Sequence, residues 1–367
     1  MLKQFGHVAG PIIVLLIIFA FMNKRLFIIV LSVTFMLIGQ GVAINRVMAQ
    51  EPDPDFFIFL GIGQSNMQGK APIENKDKTS TKDFTNDDWA RYKKMIIVDS
   101  NSSKIGTWAT AKPPIVRPDT GLGVTDYFGR YLVKGLDEGY KIGVVVVAVD
   151  GCQIEAFSKD KSVATSYISN SSTGSWVKEA AAQYGNYPYG KLVEMAKKAQ
   201  ESGIIKGIIF HQGESGANNT TWLRDVYTLY TNLISDLNLS DTIPFIAGEP
   251  LRTYNGMPAP ASGARQYVDM LPDYFKQQSG KNIAFVASSE GLTNNDEYHL
   301  SSAGYRELGK RYGEIMLPLL IEQGAVASTV IALGQDEEMI IYDLLGRRLT
   351  VPQKGINIIN GKKVIVK

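Results

Sequence analysis

Cysteine and histidine are scarce in this 367-residue chain, and their scarcity excludes several kinds of site. The single cysteine, Cys152, allows neither an intrachain disulfide nor a cysteine-based zinc site. Only three histidines are present, and since His7 lies in the N-terminal segment, His211 and His299 are too few for a multi-histidine metal centre. Charge is also balanced, because a formal net charge of +2 provides no basic surface for nucleic acid. The composition therefore argues against metal hydrolases, redox enzymes and nucleic-acid-binding proteins.

The first 50 residues contain no aspartate or glutamate and are typical of a leader. Two apolar runs, Ala9–Met22 and Leu26–Gly39, are each 14 residues long, which is short for a membrane-spanning helix of about 20 residues. The second run follows Met22–Arg25 and precedes the small residues of Val47–Ala49, as in a signal peptide with its cleavage site. We predict that translation starts at Met22 and that the mature chain is exported, to the periplasm or the cell exterior, without a stable membrane span. A true N-terminal anchor is the alternative.

Apolar runs in the rest of the chain alternate with helical patterns. The predicted strands are Phe56–Gly61, Ile142–Val149, Ile204–Phe210, Ile243–Ala247 and Ile283–Ala287. The predicted helices are Val124–Leu136, Tyr189–Ser202, Thr221–Leu237 and Ser301–Ile321. Strands that are apolar throughout and separated by helices are typical of a parallel sheet covered on both faces. The prediction is an α/β fold with a three-layer, doubly wound parallel sheet of five strands, spanning residues 51–323.

Two segments depart from this alternation. Lys70–Thr120 is a long polar insertion after the first strand, and loops of such length are usually functional or disordered. Residues 324–367 form a tail that is predicted to be a small β appendage. Its strands are expected over Thr329–Leu333 and Met339–Leu345, followed by a hairpin over Ile356–Val366 that turns at Asn360-Gly361.

Short polar segments follow three of the predicted strands. They are Gly63–Met67 (GQSNM), His211–Ser215 (HQGES) and Asp296–His299 (DEYH). The carboxyl ends of parallel strands share one edge of the sheet, and ligands bind at that edge in such folds. We therefore expect the three segments to meet there.

Serine, histidine and aspartate in these segments can form a nucleophilic triad. A serine hydroxyl becomes an effective nucleophile when a base takes its proton, and histidine is the usual base. A carboxylate fixes the tautomer of that imidazole. Ser65, His299 and Asp296 supply these groups, and a spacing of three residues lets one turn bring Asp296 to His299. For an oxyanion hole, the candidate donors are the backbone N–H groups of Ser65 and Gly151 and the side-chain amide of Gln212.

Each of these residues also has a purely structural interpretation. Ser65 could cap the following helix, and His299 could cap a helix or lie in the core. His211 follows a buried strand and is interpreted as structural rather than as the base. Glu214 is either an ion-pair partner or a substrate contact. Aromatic residues of the insertion, such as Trp108, either pack the loop or stack on a sugar.

The three segments resemble the signature blocks of the SGNH (GDSL-like) hydrolase superfamily. GQSNM at Gly63–Met67, HQGE at His211–Glu214 and the pair Asp296-x-x-His299 are similar to those of its sialate O-acetylesterase and acetylxylan esterase branch of carbohydrate esterases. The resemblance covers about residues 57–320 and implies the flavodoxin-like fold of that superfamily. It further implies Ser65 as nucleophile, His299 as base and Asp296 as its orienting acid, with no metal and no other cofactor.

The same resemblance implies oxyanion donors from the Ser65 N–H, a glycine and the Gln212 side chain. Asp150 and Cys152 depart from the Gly-Gly-Thr-Ser-like turn that many members have around Gly151, so the glycine donor stays open. Residues 121–123 (GLG) resemble the glycine block of the family before its first long helix. The candidate substrate-binding residues are Gln64, Glu214, Trp108 and Arg117.

The C-terminal tail has a resemblance of its own. Ile341–Arg348 (IYDLLGRR) and Lys354–Lys363 (KGINIINGKK) are similar to the end of a C-terminal sorting domain of type IX secretion. The tail is shorter than the usual domain of this kind. The resemblance implies the secretion machinery as a partner, and a stabilising β appendage is the alternative.

Together these observations predict a secreted serine esterase that removes O-acetyl groups from carbohydrate through an acetyl-enzyme on Ser65. Its activity should fall at acid pH, because a protonated His299 cannot act as the base. One alternative is an esterase or lipase of other acyl specificity, for which a broad apolar lid would be the signal; the Lys70–Thr120 insertion is instead polar. The other is a non-catalytic carbohydrate-binding protein, which the presence of all three triad residues disfavours.

Overall fold

The computed structural model describes residues 51–218 and 220–327, and in the tail residues 341–343, 347–349, 353, 355–359 and 362–366. The leader, with its predicted signal peptide and the proposed start at Met22, lies outside the described residues. Among the helices of the described part, none is both long and apolar enough to cross a bilayer.

The main body alternates strands and helices along the chain. Its strands are β1 (Phe56–Gly63), β2 (Tyr92–Met95), β3 (Trp108–Thr110), β4 (Lys141–Ala148), β5 (Ile204–His211), β6 (Phe245–Gly248), β7 (Thr253–Tyr254), β8 (Met257–Pro258) and β9 (Ala284–Ala287). Its helices are α1 (Ser65–Gln68), α2 (Asn86–Arg91), α3 (Val124–Gly135), α4 (Lys161–Ser169), α5 (Ser175–Ala182), α6 (Pro188–Gln200), α7 (Thr220–Asp236), α8 (Arg265–Asp269), α9 (Leu271–Ser279) and α10 (Ser302–Glu322). Short 3-10 turns cover Asn75–Asp77, Ser102–Lys104, Ile154–Phe157 and Ser262–Ala264.

Seven of these strands form one sheet in the order β3-β2-β4-β1-β5-β6-β9. Neighbouring strands are parallel, except that β3 is antiparallel to β2. The five strands predicted from the sequence therefore have the order 2-1-3-4-5 of flavodoxin-like folds, which bind ligands where the order reverses, beside β1. Gly63 of β1 is in register with Ala148 of β4 and His211 of β5, so the segments after these strands leave the sheet at one edge.

Two apolar cores lie on the two faces of the sheet. Ile58 and Leu60 of β1 belong to the core that contains side chains of α6, α7 and α9. Phe57 and Phe59 belong to the core that contains side chains of α3 and α10. Burial on both faces explains why β1 has no alternating polar residues. The predicted three-layer α/β fold is confirmed.

The predicted core strands and helices agree with the structure to within two residues at each end. Ser301 caps α10, since its side chain accepts a hydrogen bond from the Gly304 N–H at 3.1 Å. The Lys70–Thr120 insertion is more regular than expected, because it contains α2 and adds β2 and β3 to the sheet. Strand β2 lies between the edge strand β3 and β4 and has only four residues. Its two central lysines are half-buried, so the sequence contains no apolar run here that would predict a strand.

The tail contains a second, antiparallel sheet. Its strands are β10 (Ile341–Asp343), β11 (Arg348–Leu349), β12 (Gly355–Ile359) and β13 (Lys362–Val366), in the order β11-β10-β12-β13. Strands β12 and β13 pair from Gly355↔Val366 to Ile359↔Lys362, as the predicted hairpin requires. The predicted strand over Thr329–Leu333 and the Asn360-Gly361 turn lie outside the described residues. The division at residue 323 stays a prediction.

Candidate active site

Ser65 begins the short helix that follows β1. Gly63 lets the strand end approach β5 closely, because a Cβ at this position would collide with the His211 carbonyl. The Gln64 N–H donates to that same carbonyl at 3.0 Å. The turn holds Ser65 at the edge of the sheet with 4% of its surface exposed. Among the described residues its backbone N–H has no acceptor, as expected in the first turn of a helix.

Asn66 links the three polar segments to one another. Its Nδ2 donates to Glu214 Oε1 at 2.7 Å and to the Tyr298 carbonyl at 3.0 Å. Its Oδ1 accepts from the Leu300 N–H at 3.4 Å. Tyr298 and Leu300 are the chain neighbours of His299, so the residue after the serine is bonded to both sides of the histidine. The structure thereby brings the three segments together, as the sequence predicts, through a residue for which the sequence suggests no role.

His299 and Asp296 form a hydrogen-bonded pair, with 2.8 Å between Nδ1 and Oδ2. Asp296 Oδ1 accepts from the backbone N–H groups of Tyr298 and His299, both at 2.8 Å. Partial burial opposes ionisation, but the hydrogen bonds from the His299 ring and from the two backbone groups lower the pKa of the Asp296 carboxyl. A carboxylate that holds the Nδ1–H leaves Nε2 available to accept a proton.

His211 is engaged in the interior. Its Nδ1 lies 3.3 Å from the Tyr312 hydroxyl, which donates to the Phe210 carbonyl at 2.7 Å. Its Nε2 lies 3.1 Å from Glu214 Oε1. Burial alone would raise the pKa of the Glu214 carboxyl, but the interactions with His211 and Asn66 lower it. Of the two interpretations of Glu214, the contacts favour the ion-pair partner, because His211 and Glu214 together form a buried support for Asn66.

The side-chain amides of Gln64 and Gln212 are bonded to each other and to neighbouring backbone. Gln212 Nε2 lies 2.6 Å from the Ser215 carbonyl, 3.2 Å from the Cys152 carbonyl and 3.3 Å from Gln64 Oε1. Gln212 Oε1 accepts from Trp222 Nε1 at 2.6 Å. An amide nitrogen carries two protons, and three acceptors already surround this one. Gln212 can donate to an oxyanion only by exchanging one of these bonds.

Gly151 lies at the same edge, in the turn after β4. Its φ of +63° is a conformation that glycine adopts without strain. Within the described residues its N–H has no acceptor. The preceding residue, Asp150, forms an ion pair with Lys70, which follows α1, so the turns after β1 and β4 are linked. The unpaired N–H groups of Ser65 and Gly151 thus lie at two adjacent strand ends.

Of the candidate substrate-binding residues, Trp108 lies away from Ser65 and Arg117 is enclosed by protein. Trp108 packs on Phe56, the first residue of β1, with 4.8 Å between the ring centroids, so it lies near the other end of the sheet. Arg117 is 4% exposed, and its Nη1 donates to the Ala148 carbonyl at 3.0 Å and to the Tyr184 hydroxyl at 3.1 Å. Arg117 therefore supports the carboxyl end of β4.

Replacing Asn66 by alanine should both destabilise the protein and disorder the site. The substitution removes hydrogen bonds to the buried Glu214 carboxylate and to the Tyr305 hydroxyl. Loss of a hydrogen bond to a buried charged group costs about 2–3 kcal/mol, which we expect as the decrease in the free energy of unfolding. Denaturant unfolding measures it, with Gln277→Ala, at an exposed position of α9, as a control that should stay within about 1 kcal/mol of the wild type. Equal stabilities of the two variants would contradict the bridging role.

The glycine block before α3 packs against the segment that follows α1. The Leu122 N–H donates to the Ala71 carbonyl at 2.8 Å. Asp126 caps α3, because its Oδ2 accepts from the Gly123 N–H at 2.9 Å, while its Oδ1 has no partner among the described residues. Burial raises the pKa of the Asp126 carboxyl to about 7, although the Gly123 N–H and the Arg130 charge act in the opposite direction.

This raised pKa predicts a pH dependence of stability. The unfolded chain releases the Asp126 proton near pH 3.9 and the folded chain only near about 7, so stability falls as pH rises through this window. The free energy of unfolding falls by at most about 1.4 kcal/mol per pH unit within this window and no longer changes with pH above the pKa of the folded state. In Asp126→Asn this contribution is absent. Unfolding of both proteins at about pH 5 and about pH 8 measures the difference; identical changes between the two pH values would contradict the assignment.

Comparison with known proteins identifies a family and supports the fold. The sequence profile of a family described as "Carbohydrate esterase, sialic acid-specific acetylesterase" matches residues 55–318. The X-ray structure of a protein from Arabidopsis thaliana is similar with a TM-score of 0.50 and 18% identity, over 72% of this chain and 99% of that one, which supports the fold. A novel carbohydrate acetylesterase from Xanthomonas citri matches with a TM-score of 0.47 and 17% identity, over 70% of this chain and 55% of that one. NanS matches with a TM-score of 0.43 and 14% identity, over 74% of this chain and 99% of that one.

The profile match confirms the resemblance that the three sequence blocks suggest. It runs from the start of β1 to the last turn of α10 and thus includes every residue of the candidate site. Since it spans more than half of the sequence, the chain belongs to the carbohydrate esterase family of sialic acid-specific acetylesterases and is a carboxylic ester hydrolase.

Proposed function

We propose that this protein is an exported serine esterase that removes O-acetyl groups from carbohydrate. The observation that carries the proposal is the hydrogen-bonded pair of Asp296 and His299. Asn66, the residue after Ser65, is hydrogen-bonded to the backbone on both sides of His299 and so holds this pair next to the turn that contains Ser65. Family membership supplies the substrate class, and the geometry supports the catalytic roles. Serine attack followed by hydrolysis of an acyl-enzyme needs only groups that this edge of the sheet contains.

In the first half of the reaction, Ser65 Oγ attacks the acetyl carbonyl carbon and His299 Nε2 takes the hydroxyl proton. Asp296 holds the Nδ1–H and stabilises the imidazolium through the 2.8 Å bond. The tetrahedral intermediate collapses when the C–O bond to the sugar breaks, and His299 returns the proton to the sugar oxygen. The product is a free sugar hydroxyl and an acetyl group on Ser65.

In the second half, water replaces the sugar. His299 Nε2 accepts a proton from the water molecule, whose oxygen attacks the acetyl carbonyl carbon. Breakage of the bond to Ser65 Oγ releases acetic acid, which loses its proton to solvent to give acetate, and the proton on His299 restores the serine hydroxyl. Both halves pass through an oxyanion of the same geometry, so the same donors serve twice.

The backbone N–H groups of Ser65 and Gly151 are the donors that we assign to the oxyanion. Both lack an acceptor among the described residues, and fixed backbone donors need no reorganisation when charge develops. Gln212 is the third candidate, provided that its Nε2 exchanges one of its three bonds when substrate binds. Gln64 and Glu214 then act by supporting the loop after β5 rather than by contacting the sugar.

Export and sorting are separate parts of the proposal. The leader is proposed to act as a signal peptide, and the antiparallel sheet of the tail is compatible with a sorting role or with a stabilising appendage. A secreted reporter fused to residues 325–367 separates the two. Transfer of the reporter to the cell surface or medium supports sorting, whereas its retention in the periplasm contradicts sorting.

The substrate class is tested by acetate release from acetylated xylan, O-acetylated sialic acid and short- and long-chain p-nitrophenyl esters. We expect acetate from at least one glycan and turnover that decreases as the acyl chain lengthens. Hydrolysis of long-chain esters without acetate release from any glycan would instead indicate a lipase-like specificity and would overturn the carbohydrate assignment.

A further inference from the structure

Trp176 is an exposed aromatic residue beside the candidate oxyanion glycine. Its side chain lies in the first turn of α5, and 57% of the residue surface is accessible to solvent. Trp89 and Trp222 are buried by comparison, and Trp108 is half-buried. Exposed indoles are uncommon on monomeric proteins unless they contact a partner or ligand, because leaving a large apolar side chain in contact with water is unfavourable.

Two glycines make room for this indole. A Cβ on Gly151 would collide with Trp176 Nε1, and a Cβ on Gly174 would collide with the six-membered ring of Trp176. The indole therefore lies directly against the turn that follows β4, with its pyrrole edge at Gly151. Contact with residue 151 places Trp176 next to a group that we assign to the oxyanion hole, rather than on a remote surface.

A pair of charged groups lies next to the turn that Trp176 contacts. Gly151 is adjacent to Asp150, whose carboxylate is paired with the ammonium group of Lys70. Within the described residues the Trp176 N–H makes no hydrogen bond, and its Nε1 lies beside Gly151. An apolar ring next to unpaired and charged hydrogen-bonding groups matches a pyranose, which has an apolar C–H face and a rim of hydroxyls. A long acyl chain would need a wider apolar surface.

We propose that Trp176 stacks on a pyranose ring of the acetylated substrate and determines carbohydrate specificity. The inference rests on the proposed deacetylation of carbohydrate, since it concerns the sugar whose acetyl group reaches Ser65. The indole holds the ring next to Gly151, and the acetyl carbonyl oxygen of that sugar can then reach the two backbone N–H groups. Trp176 is thus a binding residue and takes no part in bond breakage.

The first test compares two substrates in Trp176→Ala, Trp176→Phe and the control Ile204→Ala. Acetylated xylo-oligosaccharides carry sugar rings and p-nitrophenyl acetate does not. For Trp176→Ala we expect kcat/KM on the oligosaccharide to fall about tenfold more than on p-nitrophenyl acetate, mainly through KM. Trp176→Phe keeps an aromatic face and should recover most of the loss. Ile204, which is exposed at the opposite end of β5, should have no effect on either substrate.

The second test measures binding of the oligosaccharide in the absence of turnover. Ser65→Ala is titrated with the same oligosaccharides while tryptophan emission and its quenching by iodide are recorded. We expect ligand to protect the emission from iodide, and the protection to be lost in the double variant Ser65→Ala, Trp176→Ala. The stacking role would be overturned if Trp176→Ala lowered kcat/KM equally on both substrates. It would also be overturned if the double variant bound the oligosaccharide with the same affinity as Ser65→Ala. If the wild type releases no acetate from any glycan, the proposed function itself fails, and this result is distinct from the other two.

Discussion

Ser65→Ala should lower turnover of p-nitrophenyl acetate by about 10³- to 10⁶-fold. In the proposed mechanism the hydroxyl is the attacking group, and alanine leaves the proposed oxyanion donors and the Asp296–His299 pair in place but provides no nucleophile. The residual rate comes from the backbone N–H groups and from binding. Turnover of wild type and variant is measured with EDTA present, so that a contaminating metal hydrolase does not contribute.

A matched control separates loss of the nucleophile from loss of structure. Ser169, which ends α4, is exposed, and Ser169→Ala should have wild-type activity. Ser65→Ala should unfold at the same denaturant concentration as the wild type, because its hydroxyl makes no hydrogen bond among the described residues. A Ser65→Ala protein that is folded and retains more than about a tenth of wild-type activity would contradict nucleophilic catalysis by this serine.

Asp296→Asn is expected to lower kcat by about 10⁴-fold while the loop keeps its shape. Asparagine Oδ1 can still accept from the Tyr298 and His299 backbone N–H groups, so the turn is retained. The new amide nitrogen, however, is placed to donate to His299 Nδ1, and the ring proton then moves to Nε2. A ring that carries its proton on Nε2 cannot accept the proton of Ser65.

The effect of Asp296→Asn on stability has a defined sign. The pKa of Asp296 is lowered by folding, so its contribution is present above the unfolded value near 3.9 and is lost as pH falls through the folded value. The wild type should therefore lose stability relative to Asp296→Asn in acid but not at neutral pH. Wild-type kcat in a folded Asp296→Asn variant would contradict the role of Asp296 in orienting the base.

The positions of several residues of the candidate site could be predicted from the sequence, because the order of the parallel strands determines them. Polar residues that follow buried parallel strands must leave the sheet at one edge, so Ser65, His211 and Gly151 come together irrespective of loop detail. The pairing of Asp296 with His299 is local, over three residues. Both arguments need only the positions of the strands and the three-residue spacing of Asp296 and His299. The strands can be located in the sequence because each is an apolar run.

Other features depend on contacts that the chain pattern does not encode. Asn66 looks like any polar residue after a strand, and its bonds to Glu214 and Tyr298 exist only in three dimensions. Burial favours the ion-pair interpretation of Glu214 over the substrate contact, because its carboxylate faces His211 and Asn66 and is not at the surface. Trp176 is a single aromatic residue without periodicity, and its position against Gly151 becomes evident only once both segments are folded.

The nucleophile is tested most directly by mass spectrometry of the protein quenched with acid during turnover of p-nitrophenyl acetate. The early time points are chosen where release of p-nitrophenol shows a burst, which indicates that an acyl-enzyme accumulates. We expect an acetyl group on the peptide that contains Ser65, its loss when substrate is exhausted, and no acetylated peptide from Ser65→Ala. A burst accompanied by acetylation of another residue, or by no acetylated peptide, would contradict a Ser65 acetyl-enzyme.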